Sequence, residues 1–274
     1  MNAMDATAAQ TPAGQPRILV AEDNPMNQKL ILRQLTLLGF DADMAGDGRE
    51  ALDRWQGAAY SLLLCDLHMP RMDGFELAEA IRAAEHEGLS AASPRIPIIA
   101  LTASAPGDEA DRCLAAGMDG YLGKPLQLAE LKALLQVWLP QAASLRTRGV
   151  EAGAPTDAPV DVRVLQGLIG PDPEINRKLQ RQFQASAAEI SRKLGRYCVE
   201  GEAALANEQA HKLCSAARAV GALALGALCD EMETAGKDGD TAALARLWPL
   251  FERELLLVNR FLDGLPHSRP ELSE

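Results

Sequence analysis

Four short polar signals follow one another between residues 18 and 125, each at the end of an apolar run. Glu22-Asp23 follows Ile18-Leu19-Val20, and Asp66 closes Leu62-Leu63-Leu64-Cys65. Thr102 closes Ile98-Ile99-Ala100-Leu101, and Lys124-Pro125 follows Gly120-Tyr121-Leu122. If these runs are strands of a parallel α/β sheet, their carboxyl ends converge on the rim where such folds bind and react. Three carboxylates together suit a hard divalent cation, and Mg2+ takes a few carboxylates, waters and phosphate oxygens. Such a cation lets Asp66 act as a nucleophile toward phosphorus, because it shields the charge on both partners. Thr102 offers a hydrogen bond and Lys124 an ion pair to phosphoryl oxygens. Phosphoryl transfer is mostly positioning and electrostatics, which is what these residue types supply.

A second reactive candidate lies in the other half of the chain. Ala206, Ala210, Leu213, Ala217 and Val220 keep helical spacing and predict a core stripe of small residues. His211, Cys214, Ser215 and Arg218 fall at i, i+3, i+4 and i+7 and predict a second face turned away from that core. With a small residue one turn beyond it, the His211 ring is expected to stand open to a docking partner. Exposed imidazole near neutral pH is a competent nucleophile and a good phosphoryl leaving group. The other histidines have plainer settings: His68 in a loop, His86 on a charged helix end and His267 near the terminus.

The elements that must position these groups fall into two blocks. From 17 to 140, strand patterns at 17–22, 41–45, 60–66, 96–101 and 119–122 alternate with helical patterns near 25–38, 47–57, 73–86, 107–116 and 127–138. Five βα units predict a doubly wound α/β domain, a five-stranded parallel sheet covered on both faces. The stretch from Glu87 to Arg95 reads as an insertion in the third helix or its following loop. Residues 141–160, rich in Ala, Pro, Gly and Thr and without periodicity, read as a linker. From 161 to 264 only helical periods appear. Asp172-Pro173 caps a long helix reaching about Tyr197, and helices near 202–219, 223–236 and 241–262 follow. Four helices with short connections predict an all-α antiparallel four-helix bundle. Residues 1–16 and 265–274 are expected to be flexible ends.

Bulk properties narrow the function. At 274 residues the chain suits two domains, and a hydrophobic fraction of 47% supports real cores. Its net charge of −11 is uneven, since residues 17–140 carry 11 Lys and Arg against 18 Asp and Glu. That balance argues against nucleic acid and fits a carboxylate site that needs a cation. Five dispersed cysteines read as reduced thiols of a cytoplasmic protein. The apolar stretch from Val220 to Cys229 has about half the length a bilayer requires, so no membrane segment is expected.

With these residues in hand, positions 17–139 resemble the receiver domain of two-component response regulators. The matching motifs are Ala21-Glu22-Asp23-Asn24, Cys65-Asp66-Leu67-His68-Met69-Pro70, Met72-Asp73-Gly74, Leu101-Thr102-Ala103, and the run from Gly117 to Pro125. The flanking Asn24-Pro25-Met26-Asn27 and Ala116-Gly117-Met118-Asp119 look most like receivers attached to hybrid sensor kinases. The resemblance implies a flavodoxin-like fold with Asp66 as phosphoacceptor. It implies Mg2+ held by Glu22, Asp23, Asp66 and the backbone carbonyl of His68. Thr102 and Tyr121 would be the switch residues, Lys124-Pro125 a cis peptide, and His68 and Ser104 positions that influence the life of the acyl phosphate.

The second half resembles the histidine phosphotransfer (HPt) domain on Ala210, His211, Leu213, Ala217 and Gly221, with His211 as the phosphorylated residue. Where the family carries a lysine and a glycine, this chain has Cys214 and Ser215. Serine is small enough to keep access, and Lys212 or Arg218 is expected to replace the missing cation. The two resemblances together imply a phosphorelay protein. Asp66 would accept a phosphoryl group from a histidine kinase, and His211 would exchange it with Asp66 or with an aspartate on another receiver or response regulator. Rival readings are a phosphate sink, a scaffold with a degenerate HPt domain, and a Mg2+-dependent aspartyl phosphatase. The last ranks lowest, because it wants an acid two positions after the nucleophile and finds His68. No kinase catalytic core or DNA-binding output motif is visible in the sequence. The chain reads equally as a free-standing relay protein or as the end of a membrane hybrid kinase.

Overall fold

The computed structural model describes residues 16–88, 95–102, 108–140 and 158–265. The expected flexible ends therefore lie almost wholly outside the described residues. So do Ser104, His267, most of the 141–160 linker and the middle of the Glu87–Arg95 insertion.

In the first half, strands and helices alternate: β1 (Arg17–Ala21), α1 (Pro25–Leu37), β2 (Asp41–Ala45), α2 (Gly48–Gly57), β3 (Leu62–Asp66), α3 (Gly74–His86), β4 (Ile98–Thr102), α4 (Asp108–Ala115), β5 (Gly120–Gly123) and α5 (Leu128–Trp138). The sheet is wholly parallel, in the order β2-β1-β3-β4-β5. The apolar runs are continuous rather than alternating because β3 and β4 are buried on both faces. Leu19, Leu63 and Cys65 join the core on one side of the sheet, whereas Val20, Leu62 and Leu64 join the core on the other. Chain direction across the sheet reverses between β1 and β3, so the crevice of this doubly wound fold opens beyond Ala21 and Asp66.

Local chemistry sets the helix starts around that crevice. Asn24 caps α1 by accepting from the backbone N–H groups of Met26 and Asn27, and Pro25 follows where its missing N–H costs nothing. Asp73 and Glu76 form a reciprocal capping box at α3. Gly74 is needed there for a spatial reason, since a β-carbon at this position would lie 2.3 Å from the carbonyl oxygen of Asp66. The loop after Asp66 can therefore fold tightly under the rim.

The second half contains α6 (Val162–Ile169), α7 (Pro173–Glu200), α8 (Ala203–Ala219), α9 (Leu223–Lys237) and α10 (Thr241–Asp263). Helices α7 to α10 are joined by connections of two or three residues and pack in a closed ring, α7 on α8, α8 on α9, α9 on α10 and α10 back on α7. Phe183 and Phe251 are fully buried at its centre. Helix α7 runs to Glu200 rather than ending near Tyr197, because the first residue able to close it is Gly201 in the left-handed conformation. Helix α6 is an element the periodicity did not announce. Asp161 caps it, and Leu165, Leu168 and Ile169 bury its single apolar edge. No helix among the described residues is long and apolar enough to cross a membrane.

The two halves share an apolar core. Met26 and Leu30 of α1 are buried in the same cluster as Leu168, Leu179, Ala216 and Val220. Polar contacts ring this seam. The Gln34 amide donates to the carbonyls of Leu126, at 2.6 Å, and Leu168, at 3.1 Å. Gln182 donates to the Pro25 carbonyl at 3.2 Å, and Lys29 donates to the Gln182 side chain. The α8 face expected to stand open is therefore partly covered: Cys214 is fully buried and Ser215 is 7% exposed. Helix α1 covers Ser215, while α9 covers Cys214.

Candidate functional site

The rim residues predicted from sequence come together. One ligand oxygen from each of Glu22, Asp23 and Asp66 can be chosen such that all lie within 4.8 Å of one another. Glu22, Asp66 and Thr102 are buried, at 0%, 3% and 6% exposure. Lys124 reaches across from the end of β5, its ammonium 2.6 Å from Glu22 Oε2 and 2.6 Å from Asp66 Oδ2. The backbone N–H of His68 donates to Asp66 Oδ1 at 3.3 Å. The Lys124-Pro125 peptide is cis. Tyr121, on β5, is 45% exposed.

Burial pushes the Glu22 carboxyl up to about 7, with the Asp66 and Asp23 charges adding to the rise and Lys124 opposing it. Burial alone would lower the Lys124 ammonium, but Asp66 and Glu22 outweigh it and hold it above its ordinary value. A site with this excess of buried negative charge and only oxygen donors fits a small divalent cation.

Helix α8 brings His211 to the same crevice. Its ring stands edge-on to the His68 ring, with centroids 4.8 Å apart. Beside it, the Lys212 ammonium lies 3.1 Å from Asp23 Oδ2, and Asn24 Nδ2 donates to the Lys212 carbonyl at 2.6 Å. Asn27 donates to Glu22 Oε1 at 3.1 Å and to Ser215 Oγ at 2.9 Å, so one amide ties the carboxylate rim to α8. A cleft of ≈ 340 Å³ opens between the domains, lined by Asp23, His68, Asp73, His211, Lys212 and Glu233.

Of these residues, Glu233 had no sequence signal. It lies 22 positions after His211, on α9, and becomes a neighbour only when α8 and α9 pack. Its Oε2 is 3.1 Å from His211 Nδ1, and its Oε1 accepts from Lys237 at 2.6 Å. Burial would raise the Glu233 carboxyl, but His211 and Lys237 hold it down to about 2. Burial would lower the imidazole, yet the hydrogen bond and charge of Glu233, with a smaller contribution from Asp66, raise it above its ordinary value.

Two α8 residues go elsewhere than expected. Arg218 pairs with Asp230 of α9 and donates to Cys214 Sγ at 3.3 Å, so it points along α9 rather than at the His211 ring. Burial pushes the Cys214 thiol up to about 12, and it lies 2.9 Å from Asp230 Oδ1. The cation beside the rim is Lys212.

A doubly wound domain with a carboxylate–lysine rim, seated against a helical bundle that presents a histidine, defines a two-component phosphorelay module. Residues 18–136 match the response regulator receiver domain, and residues 178–263 match the Hpt domain. The chain belongs to these families, joining one receiver domain to one Hpt domain. It is 32% identical over 287 residues to the virulence sensor protein BvgS of Bordetella bronchiseptica, an alignment covering 96% of this chain and 22% of that protein. It is 36% identical over 167 residues to the sensor protein EvgS of Escherichia coli K12, covering 61% of this chain and 12% of that one. Among solved structures, the receiver domain of a Pseudomonas aeruginosa PAO1 sensor histidine kinase is 40% identical, covering 47% of this chain and 99% of that one, at a TM-score of 0.41. The chain thus spans less than a quarter of the length of the curated relatives it matches, from 7% to 22% among those with 42% to 32% identity.

Proposed function

We propose that this chain relays phosphoryl groups and that Asp66 and His211 exchange one directly within the molecule. The observation that carries this reading is the seam itself. Helix α8 packs on α1 so that the His211 ring meets His68, two residues after Asp66. An outside histidine kinase supplies the group to Asp66, and His211 passes it between Asp66 and the aspartate of a further receiver or response regulator.

In the exchange, His211 Nε2 attacks phosphorus. The P–N bond forms as the P–O bond to Asp66 breaks, and the carboxylate leaves with the electron pair. Nδ1 keeps its proton, directed at Glu233, so no proton has to move during transfer. Phosphorylation at Nε2 leaves the ring cationic, and the Glu233 carboxylate neutralises it. Glu22, Asp23, Asp66 and the His68 carbonyl are the groups that would hold Mg2+, which supplies charge shielding at the phosphoryl oxygens. Lys124 holds Asp66 in place, and its ammonium serves a phosphoryl oxygen. Thr102, at the end of β4, serves another, and Tyr121 follows its movement.

Labelling with a small acyl-phosphate donor and Mg2+, read by intact mass, tests the scheme. Wild type is expected to gain a base-labile adduct and then an acid-labile one, and Asp66→Asn neither. An acid-labile adduct of normal yield on Asp66→Asn would show that His211 is not fed through Asp66.

Glu233 acts through His211 as a positioning residue. Glu233→Gln keeps the shape and removes the charge, so transfer to His211 should slow by about tenfold or more, as when an outer partner that orients a histidine is lost. Because the carboxylate stabilises the imidazolium, the NMR titration of His211 should move to lower pH in the variant. An unmoved titration together with an unchanged rate would leave Glu233 a purely structural role.

A further inference from the structure

We propose that Lys212 makes seating of the helical domain and Mg2+ binding at the receiver rim compete, because ammonium and metal claim the same carboxylate, Asp23. This rests on the reading of the rim as a Mg2+ site. Within the rim, Lys124 pairs with Glu22 and Asp66. The third carboxylate, Asp23, receives its cation from the other domain, through Lys212 at 3.1 Å. The Asp23 side chain is only 8% exposed and that of Lys212 33%, so the pair is partly shielded from solvent.

The lysine is also held by its backbone. Asn24, adjacent to Asp23, donates to the Lys212 carbonyl at 2.6 Å, which fixes this turn of α8 over the rim whenever the domains are docked. A divalent cation entering between Glu22, Asp23 and Asp66 meets a charge of like sign a few ångströms away and must take Asp23 from it. The reverse follows by linkage: whatever factor docking costs the metal, the metal costs docking. Docking and metal loading then favour opposite ends of one equilibrium, with the undocked receiver the better metal binder.

Calorimetric titration of Mg2+ into the full chain at constant ionic strength tests this with four proteins. Lys212→Met should bind Mg2+ about three- to tenfold more tightly than wild type, near the low end of such couplings. Lys212→Arg, which keeps the charge, should match wild type. Leu30→Gln, which disturbs the shared core on α1 without adding charge beside Glu22 and Lys124, should bind more tightly, as Lys212→Met does. Equal or weaker affinity in Lys212→Met overturns the competition, and wild-type affinity in Leu30→Gln overturns its link to docking. Saturable binding in none of the four overturns the Mg2+ reading and the competition with it. Normal binding that is alike in all four overturns the competition alone.

Discussion

With glutamine in place of His211, a small acyl-phosphate donor should leave Asp66 phosphorylated and the helical domain unlabelled, a loss of at least about a hundredfold in the acid-labile adduct. An amide nitrogen has no free electron pair to offer phosphorus, whereas the imidazole Nε2 does. The receiver rim is untouched by the change, since its carboxylates and Lys124 come from strand ends on the other domain. The base-labile adduct should therefore form as in wild type and last longer, because its exit through the histidine is gone. The measurement is intact mass before and after acid and base treatment, with a time course of the aspartyl adduct. Persistence of the acid-labile adduct would place it on another residue and sink the assignment of His211.

Gly221→Ala should be the most damaging single methyl added to the helical domain. Gly221 lies between α8 and α9 with φ of +88°, a conformation that side chains other than hydrogen rarely adopt. A β-carbon there would also fall 2.1 Å from the Asp161 carbonyl oxygen, closer than atoms can approach. Asp161 cannot easily give way, because its own N–H donates to the Gly221 carbonyl at 2.9 Å and its side chain caps α6. Backbone strain and the forced shift together should cost about 3 kcal/mol or more. Chemical denaturation followed by circular dichroism would measure it, and a loss under about 1 kcal/mol would show that the α6 junction yields more easily than its geometry implies.

Much of the receiver half was legible in sequence because its strands are buried on both sides. Apolar runs such as Leu62-Leu63-Leu64 have no other comfortable place in a soluble fold, and the polar residue that ends each run marks the rim. Boundaries moved by one or two residues, as where β3 begins at Leu62 rather than at residue 60. In the helical half, Asp172-Pro173 announced α7 at its first residue. Eight-residue α6 carried too little periodicity to stand out from the linker before it. What periodicity cannot supply is which faces meet. The face of α8 carrying Cys214 and Ser215 was expected to be open, yet α9 and α1 cover it. Glu233 stayed silent for the same reason: its role depends on two helices lying side by side. Arg218 looked like a replacement cation by helical spacing alone, and it is Asp230, on a different helix, that takes it.

The amide of Gln34 spans both domains, touching the carbonyl of Leu126 just past the cis peptide and that of Leu168 in α6. Together with Met26 and Leu30, it means that the receiver's α1 face already has a tenant. Two domains on one chain meet at an effective concentration of ~1 mM, so a free competitor present at ~1 μM and of equal intrinsic affinity would hold that face about one time in a thousand. On the proposed relay, an upstream donor that uses the same face reaches Asp66 only during the intervals when the tenant is away. On that reading, occupancy of the face, and not its shape alone, decides which proteins reach Asp66.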